Sequence, residues 1–175
     1  MSDSDASALD NVIFHGRNSV DEQNVDVLLE QYKLFVDTSE RLVARRQIVN
    51  TFFLSVNALV LSALALIAKE ATDSVLTIVG VLTVSVAAIV LCFAWKLLVR
   101  SYAQLNRGKF AVIHRLEREL PAALFSAEWV ALERGKNPRT YKPFTTTEAF
   151  VSYIFIVIYL IVFIVTLGWQ ICTYF

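Results

Sequence analysis

The sequence predicts an all-α membrane protein. It should have three transmembrane helices, a long amino-terminal cytoplasmic helix continuous with the first span, and a helical cytoplasmic segment between spans two and three. Apolar runs at 48–68, 75–99 and 149–172 occupy about 40% of the 175 residues. At ~1.5 Å per helical residue, each is long enough to cross the ~30 Å hydrocarbon layer. Mean hydropathy is +0.55 and 18% of residues are charged, against about 25% in soluble domains. The remaining charges lie almost wholly outside the runs, leaving room for one membrane domain and a modest cytoplasmic part but no separate catalytic domain.

Residues 1–18 are an acidic, Ser/Asp-rich leader with no basic n-region and no small-residue cleavage site, so it is expected to be retained and disordered. Ser19 and Glu22 have capping-box spacing and should open a helix over 19–47. Val25, Leu28, Leu29, Tyr32, Phe35, Val36, Leu42 and Val43 recur at three-and-four spacing, which forms one apolar stripe. Between residue 19 and Gly80 there is no Gly or Pro, so this helix should run unbroken into the first span. Its stripe needs a partner, either a neighbouring protomer's helix or this chain's own later cytoplasmic helices.

The polar 69–74 connection is short enough to make spans one and two an antiparallel hairpin. Span two should continue as a helix past Arg100 to Gly108. The segment 100–148 then reads as helical: Phe110, Ile113, Leu116 and Leu120 give one face, and Pro121 suits the first turn of a short helix ending at Gly135. A turn follows at 136–139. Thr145 and Glu148 form a second capping-box pattern, opening span three.

Charge sets the expected orientation. Residues 1–40 hold nine acids and two bases, and the rest holds seven acids and fourteen bases. Thirteen bases flank the runs on the side of residues 19–47 and 100–148, while Lys69 alone lies between runs one and two. By the positive-inside rule the amino terminus and 100–148 are cytoplasmic, and residues 69–74 and the carboxyl terminus are outside. Trp95, Trp169, Tyr153 and Tyr174 fall near run ends, where amphipathic rings favour the headgroup zone. Cys92 and Cys172 would face opposite leaflets, which disfavours a disulfide and leaves them as small apolar side chains.

Polar residues inside the spans are the first functional candidates. Arg46, Asn50 and Asn57 share one stripe of span one, and Thr51, Ser55 and Ser62 form a second about 120° away at 100° per residue. Carboxamides in hydrocarbon need partners. The asparagine stripe is therefore either interhelical glue, worth roughly 0.6–2 kcal/mol per bond, or the wall of a hydrated pore lined by Arg46, Asn50, Phe53, Asn57 and Leu61. Gly80, Thr83 and Ala87 in span two suit close packing, while bulky span three suits an outer, lipid-facing helix.

Cytoplasmic bases are the second candidate. Arg107, Lys109, Arg115 and Arg118, with His114 among them and Arg134, Lys136, Arg139 and Lys142 beyond, suit the phosphates of a nucleotide or oligonucleotide. The competing reading is that they fix topology and touch anionic headgroups or the acidic amino-terminal helix. Two histidines and the absence of metal-ligand spacing, a phosphate loop or a nucleophile elbow argue against an enzyme. No cofactor is expected.

Four stretches together carry a family likeness: Leu29-Glu-Gln-Tyr-Lys-Leu-Phe35, Arg45-Arg-Gln-Ile-Val-Asn-Thr-Phe-Phe-Leu-Ser-Val-Asn57, Ala127-Glu-Trp129 and Tyr141-Lys-Pro-Phe-Thr-Thr-Thr-Glu148. They resemble the RipA-type family of small bacterial cytoplasmic-membrane proteins, described as octameric, over most of residues 25–172. A weaker similarity is to membrane effectors of anti-phage systems of the Hailong type, in which a nucleotidyltransferase product controls an ion channel. The resemblance implies a homo-oligomer of the bacterial inner membrane, a channel under control of a cytoplasmic nucleotide-type ligand, and a partner nucleotidyltransferase in anti-phage defence or stress response. The alternative is a non-conducting oligomeric scaffold that recruits a cytoplasmic partner.

Overall fold

The computed structural model describes residues 3–14, 25–69, 74–137, 139–141 and 144–174. Every regular element among them is helical: α1 (Asp3–Ile13), α2 (Val25–Lys69), α3 (Val75–Leu116), α4 (Leu124–Ala131) and α5 (Phe144–Tyr174), with 3-10 turns at Glu117–Glu119 and Glu133–Gly135. Helices α2, α3 and α5 are each long and apolar enough to cross a membrane. The chain divides into two compact units, Met1–Ala44 with Tyr102–Pro143, and Arg45–Ser101 with Phe144–Phe175.

The second of these, the spanning unit, packs parts of α2 and α3 with α5. Helix-compatible apolar residues without proline hold all three helices, and their facing stripes interlock. Phe53, Leu64, Ala88, Cys92, Trp95, Val99, Ile156 and Tyr159 are buried. Phe53 stacks on Trp95 with centroids 5.6 Å apart and planes 2° from parallel, and Phe155 bridges Trp95 and Tyr159 at 6.4 Å to each. Outward, α5 presents Ile154, Leu160, Ile161, Ile164 and Val165. The small residues of span two are outward too: Thr83 and Ala87 are exposed, and a Cβ on Gly80 would meet nothing within 4 Å. The close approach falls one position later, at buried Ala88.

The first, polar unit gathers α1, the start of α2, the end of α3 and α4. The α2 stripe is covered in part: Leu28 and Leu42 are buried, as are Ile113 and Leu116 of α3, while Leu29 and Val43 stay exposed. Lys109 lies over the Phe35 ring at 4.7 Å and donates to Thr38 Oγ1 at 2.6 Å. Three expectations need correction. The leader is not disordered throughout, because 3–13 form α1; Asp10 pairs with Arg115, whose guanidinium covers the buried Phe14 ring at 4.7 Å. Composition registers the acids but not a base more than a hundred residues away. Helix α3 runs through Gly108 to Leu116, since the ~1 kcal/mol cost of a helical glycine is small beside the burial of Ile113. The short helix starts at Leu124 rather than at Pro121. The Ser19/Glu22 capping box, His15 and the rest of the leader, residues 70–73, Lys142 and the last residue lie outside the described residues.

Candidate functional site

Within the spanning unit a polar seam follows the inward stripe of α2. At one end, Glu148 of α5 receives Arg46 Nε at 2.8 Å, with an Arg46 terminal nitrogen on the same oxygen, and Asn50 Nδ2 at 2.7 Å on the other. Asn50 Oδ1 in turn accepts from Trp95 Nε1 at 2.9 Å. Four side chains from α2, α3 and α5 are thereby linked, and a carboxylate in an apolar setting is matched by a guanidinium and an amide. Two turns on, Asn57 is 0% exposed. Its Nδ2 donates to the Phe53 carbonyl at 2.8 Å and its Oδ1 accepts from Cys92 Sγ at 3.2 Å. Tyr159 Oη donates to the Asn57 carbonyl at 3.2 Å.

Arg46, Asn50, Phe53, Asn57 and Leu61 thus share one face, as their spacing requires, and that face turns toward α3 and α5 of the same chain. Phe53 is buried, and Leu61 packs against the cluster of Leu64, Cys92 and Tyr159. This geometry favours glue over pore wall for that stripe. The hydroxyl stripe behaves oppositely: Thr51, Ser55 and Ser62 are all exposed. Ser62 Oγ donates to the Ala58 carbonyl at 2.9 Å, whereas Thr51 and Ser55 bond to no group among the described residues.

Glu148 and Trp95 are members of the seam that pattern reading assigns elsewhere, Glu148 to a cap and Trp95 to the headgroup zone. Trp95 is 1% exposed. The available signal is depth: Trp95 lies four residues before Val99, inside the apolar run, and an acid and a base bound different runs at like positions.

In the polar unit the four ligand candidates do not converge on open space. Arg115 is held by Asp10 and by Glu119 at 2.8 Å. Burial alone would lower its pKa, but the bonds and charges of Glu119 and Asp10 raise it above the ordinary value. Lys109 is spent on Thr38 and Phe35, while Arg107 and Arg118 are exposed. The residue that sequence reading misses is Glu117, 1% exposed, which accepts from Phe125 N at 2.7 Å, Ser126 N at 3.0 Å, Ser126 Oγ at 2.8 Å and Tyr32 Oη at 3.1 Å. Burial pushes its carboxyl up, but these four bonds outweigh it and hold the pKa below the usual range. Burial, then the Glu117 charge and bond, push the Tyr32 phenol up to about 12.

Ser126, His114 and Glu117 assemble a serine, an imidazole and a carboxylate, but not a relay. His114 Nδ1 meets Ser126 Oγ at 2.9 Å and also faces Glu117 at 3.6 Å, so both partners converge on one ring nitrogen. A relay needs hydroxyl and carboxylate on opposite nitrogens. No group of three or more metal-ligating side chains occurs among the described residues.

A bundle of three long apolar helices, closed by its own polar seam and exposing aliphatic faces, defines a multi-pass integral membrane protein. Residues 29–168 match the model of the octameric membrane protein family, 8xMP, and the chain belongs to that family. The match carries the octameric character that the sequence resemblance implies, and makes this an oligomeric membrane protein. No curated protein and no solved structure matches the chain.

Proposed function

We propose that the chain assembles into a homo-oligomeric ion channel of the bacterial cytoplasmic membrane, amino terminus inside, with α2 facing the axis through Thr51, Ser55 and Ser62. The observation that carries this is the outward hydroxyl stripe. In hydrocarbon, hydroxyls without partners, as at Thr51 and Ser55, are costly, and in an oligomer water along an axis supplies those partners. Arg46, Asn50 and Asn57 then support that wall from behind, bracing α2 against α3 and α5. Control by a cytoplasmic nucleotide-type ligand is part of the same reading. Of the candidates Arg107, Lys109, Arg115 and Arg118, an anionic ligand that engages Arg115 has to displace Asp10 from it, which makes α1 the element it releases. The anti-phage or stress role and the nucleotidyltransferase partner rest on the resemblance to Hailong-type effectors alone.

The test is current across a planar bilayer containing the purified oligomer, with Ser55→Cys and Ser62→Cys probed by a charged thiol reagent. Block of current at both positions, and none at Asn57→Cys, is expected. Absence of current under every ionic and nucleotide condition would overturn the proposal. The scaffold reading has one observation in its favour, that the seam satisfies its amides without water. It predicts an intact oligomer that never conducts.

A further inference from the structure

The polar unit keeps two apolar patches uncovered. On α2, Val27 and Leu34 are 56% and 66% exposed; on α4, Leu124, Trp129 and Val130 are 70%, 41% and 59% exposed, and no residue of α4 is buried. Val27 and Leu34 are seven apart and so lie on one helical face. Their surroundings differ in charge. Residues 25–44 carry four acids and two bases, and residues 124–141 carry two acids and three bases. Glu30 and Asp37 border the α2 patch, where they pair with Lys33 and Arg41 on exposed surface. The α4 patch is bordered by exposed Arg134, Lys136 and Arg139.

We propose that these patches are the two halves of a head-to-tail contact between copies of this chain, the α2 patch of one protomer seating the α4 patch of the next. A second copy is required by membership of an octameric family, and the charge segregation decides how the copies meet. A contact of two like patches would set net negative against net negative charge on α2, or net positive against net positive at α4. A contact of unlike patches brings opposite charges together, and when repeated it closes a ring. Exposed apolar patches on water-facing surface mark such contacts, and Trp129 has the character of an anchor. Its ring is fixed edge-on to Tyr141 at 6.0 Å. An anionic bilayer fits α4 less well, because Glu128 lies on the helix and Glu133 follows it, both exposed. Lys33 and Arg41 of a neighbouring α2 can meet those acids.

The contact is tested in the full chain, in membranes, with Cys172→Ser as background. Leu34→Cys with Val130→Cys in one chain should give, on oxidation, a ladder of cross-linked species reaching eight chains. Either cysteine alone should give no product, and mixing the two single variants should give dimers only. Products from a single variant would show like patches meeting, and no product from the double variant while the oligomer persists would place the contact elsewhere; either overturns the proposal. Arg134→Glu with Arg139→Glu should lower the octamer fraction severalfold, and adding Glu30→Arg with Asp37→Arg should restore it. Failure of that restoration also overturns it. The ladder does not depend on conduction, so a silent oligomer that still cross-links refutes the channel alone.

Discussion

Tyr159 of α5 donates its phenolic hydrogen to the main-chain carbonyl of Asn57 on α2, while the Asn57 side chain is spent on Phe53 and on Cys92 of α3. One residue of the first span therefore binds both other spans. A helix carbonyl that also accepts from its own i+4 amide has a second lone pair free, and the phenol uses it. The asparagine is consequently a structural joint, with a cost attached to removing either arm.

Tyr159→Phe removes one bond and keeps the ring stacked on Phe155. A loss of about 0.5–1.5 kcal/mol in bundle stability is expected, read by unfolding in detergent with increasing denaturant. Asn57→Leu deletes both side-chain bonds and should cost about 1–3 kcal/mol. Open-channel conductance should be unchanged in both, and a conductance change at Asn57→Leu would return that residue to the pore wall.

At the other end of the seam, Arg46→Met leaves the Glu148 carboxylate with Asn50 alone. Breaking a largely buried pair by removing one partner costs about 3–5 kcal/mol, reduced here because Glu148 stays 20% exposed. Arg46→Met with Glu148→Met should recover much of that loss, since neither charge is then stranded. A double-mutant cycle on unfolding free energies checks this, and additive losses would contradict it.

The spans are legible in the sequence because twenty-odd apolar residues in a row have one physical solution in lipid. The asparagine stripe is equally legible as a face that needs partners. Which partners is not, because periodicity gives the angle of a side chain about its own helix and nothing about which neighbour stands there. Glu148 is concealed by the same limit: its spacing from Thr145 fits a cap, yet the Arg46 that captures it lies 102 residues away. Glu117 looks like one acid in an ordinary charged run, Glu117-Arg118-Glu119, and only the fold puts two amides, a hydroxyl and a phenol around it. The Pro121 start fails by three residues because Glu117 caps the amides of Phe125 and Ser126, which fixes where α4 can begin.

Because the Glu117 pKa is depressed in the folded state, its contribution is fully present above the ordinary carboxylate range and is lost as pH falls below it. The Tyr32 phenol is raised from 10.0 to about 12, so its contribution is complete below pH 10 and is lost as pH climbs from there toward 12. The polar unit should therefore loosen at both extremes. Hydrogen exchange of the Phe125 and Ser126 amides, corrected for the intrinsic pH dependence of the exchange chemistry, should accelerate below about pH 4. Glu117→Gln should accelerate it already at neutral pH and flatten the acid limb.

Residues Glu133, Arg134 and Gly135 are all left-handed, with φ of 53°, 55° and 68°. Gly135→Ala would add a Cβ 3.0 Å from the Trp129 ring at a backbone angle that costs a side chain about 1–2 kcal/mol. The substitution should destabilise the α4 region by at least that amount and shift Trp129, visible as a change in its fluorescence. Arg134→Gly, relieving the same strain, should stabilise by up to about 1 kcal/mol. If both substitutions proved neutral, the turn would not be held in this conformation.

Asp10→Asn weakens the hold of α1 on Arg115 but keeps Phe14 beneath the guanidinium. Glu119 still pairs with Arg115, so the loss should be modest, about 1 kcal/mol or less given that Asp10 is 41% exposed. The expected consequence is easier release of α1, measured as faster trypsin cleavage at Arg17. Adding Phe14→Ala removes the buried ring and should release α1 fully. If Arg115 is where an anionic ligand enters, ATP should speed cleavage of the unaltered chain and have no further effect on the double variant. Protection by ATP instead would mean that α1 and the ligand bind together rather than in competition.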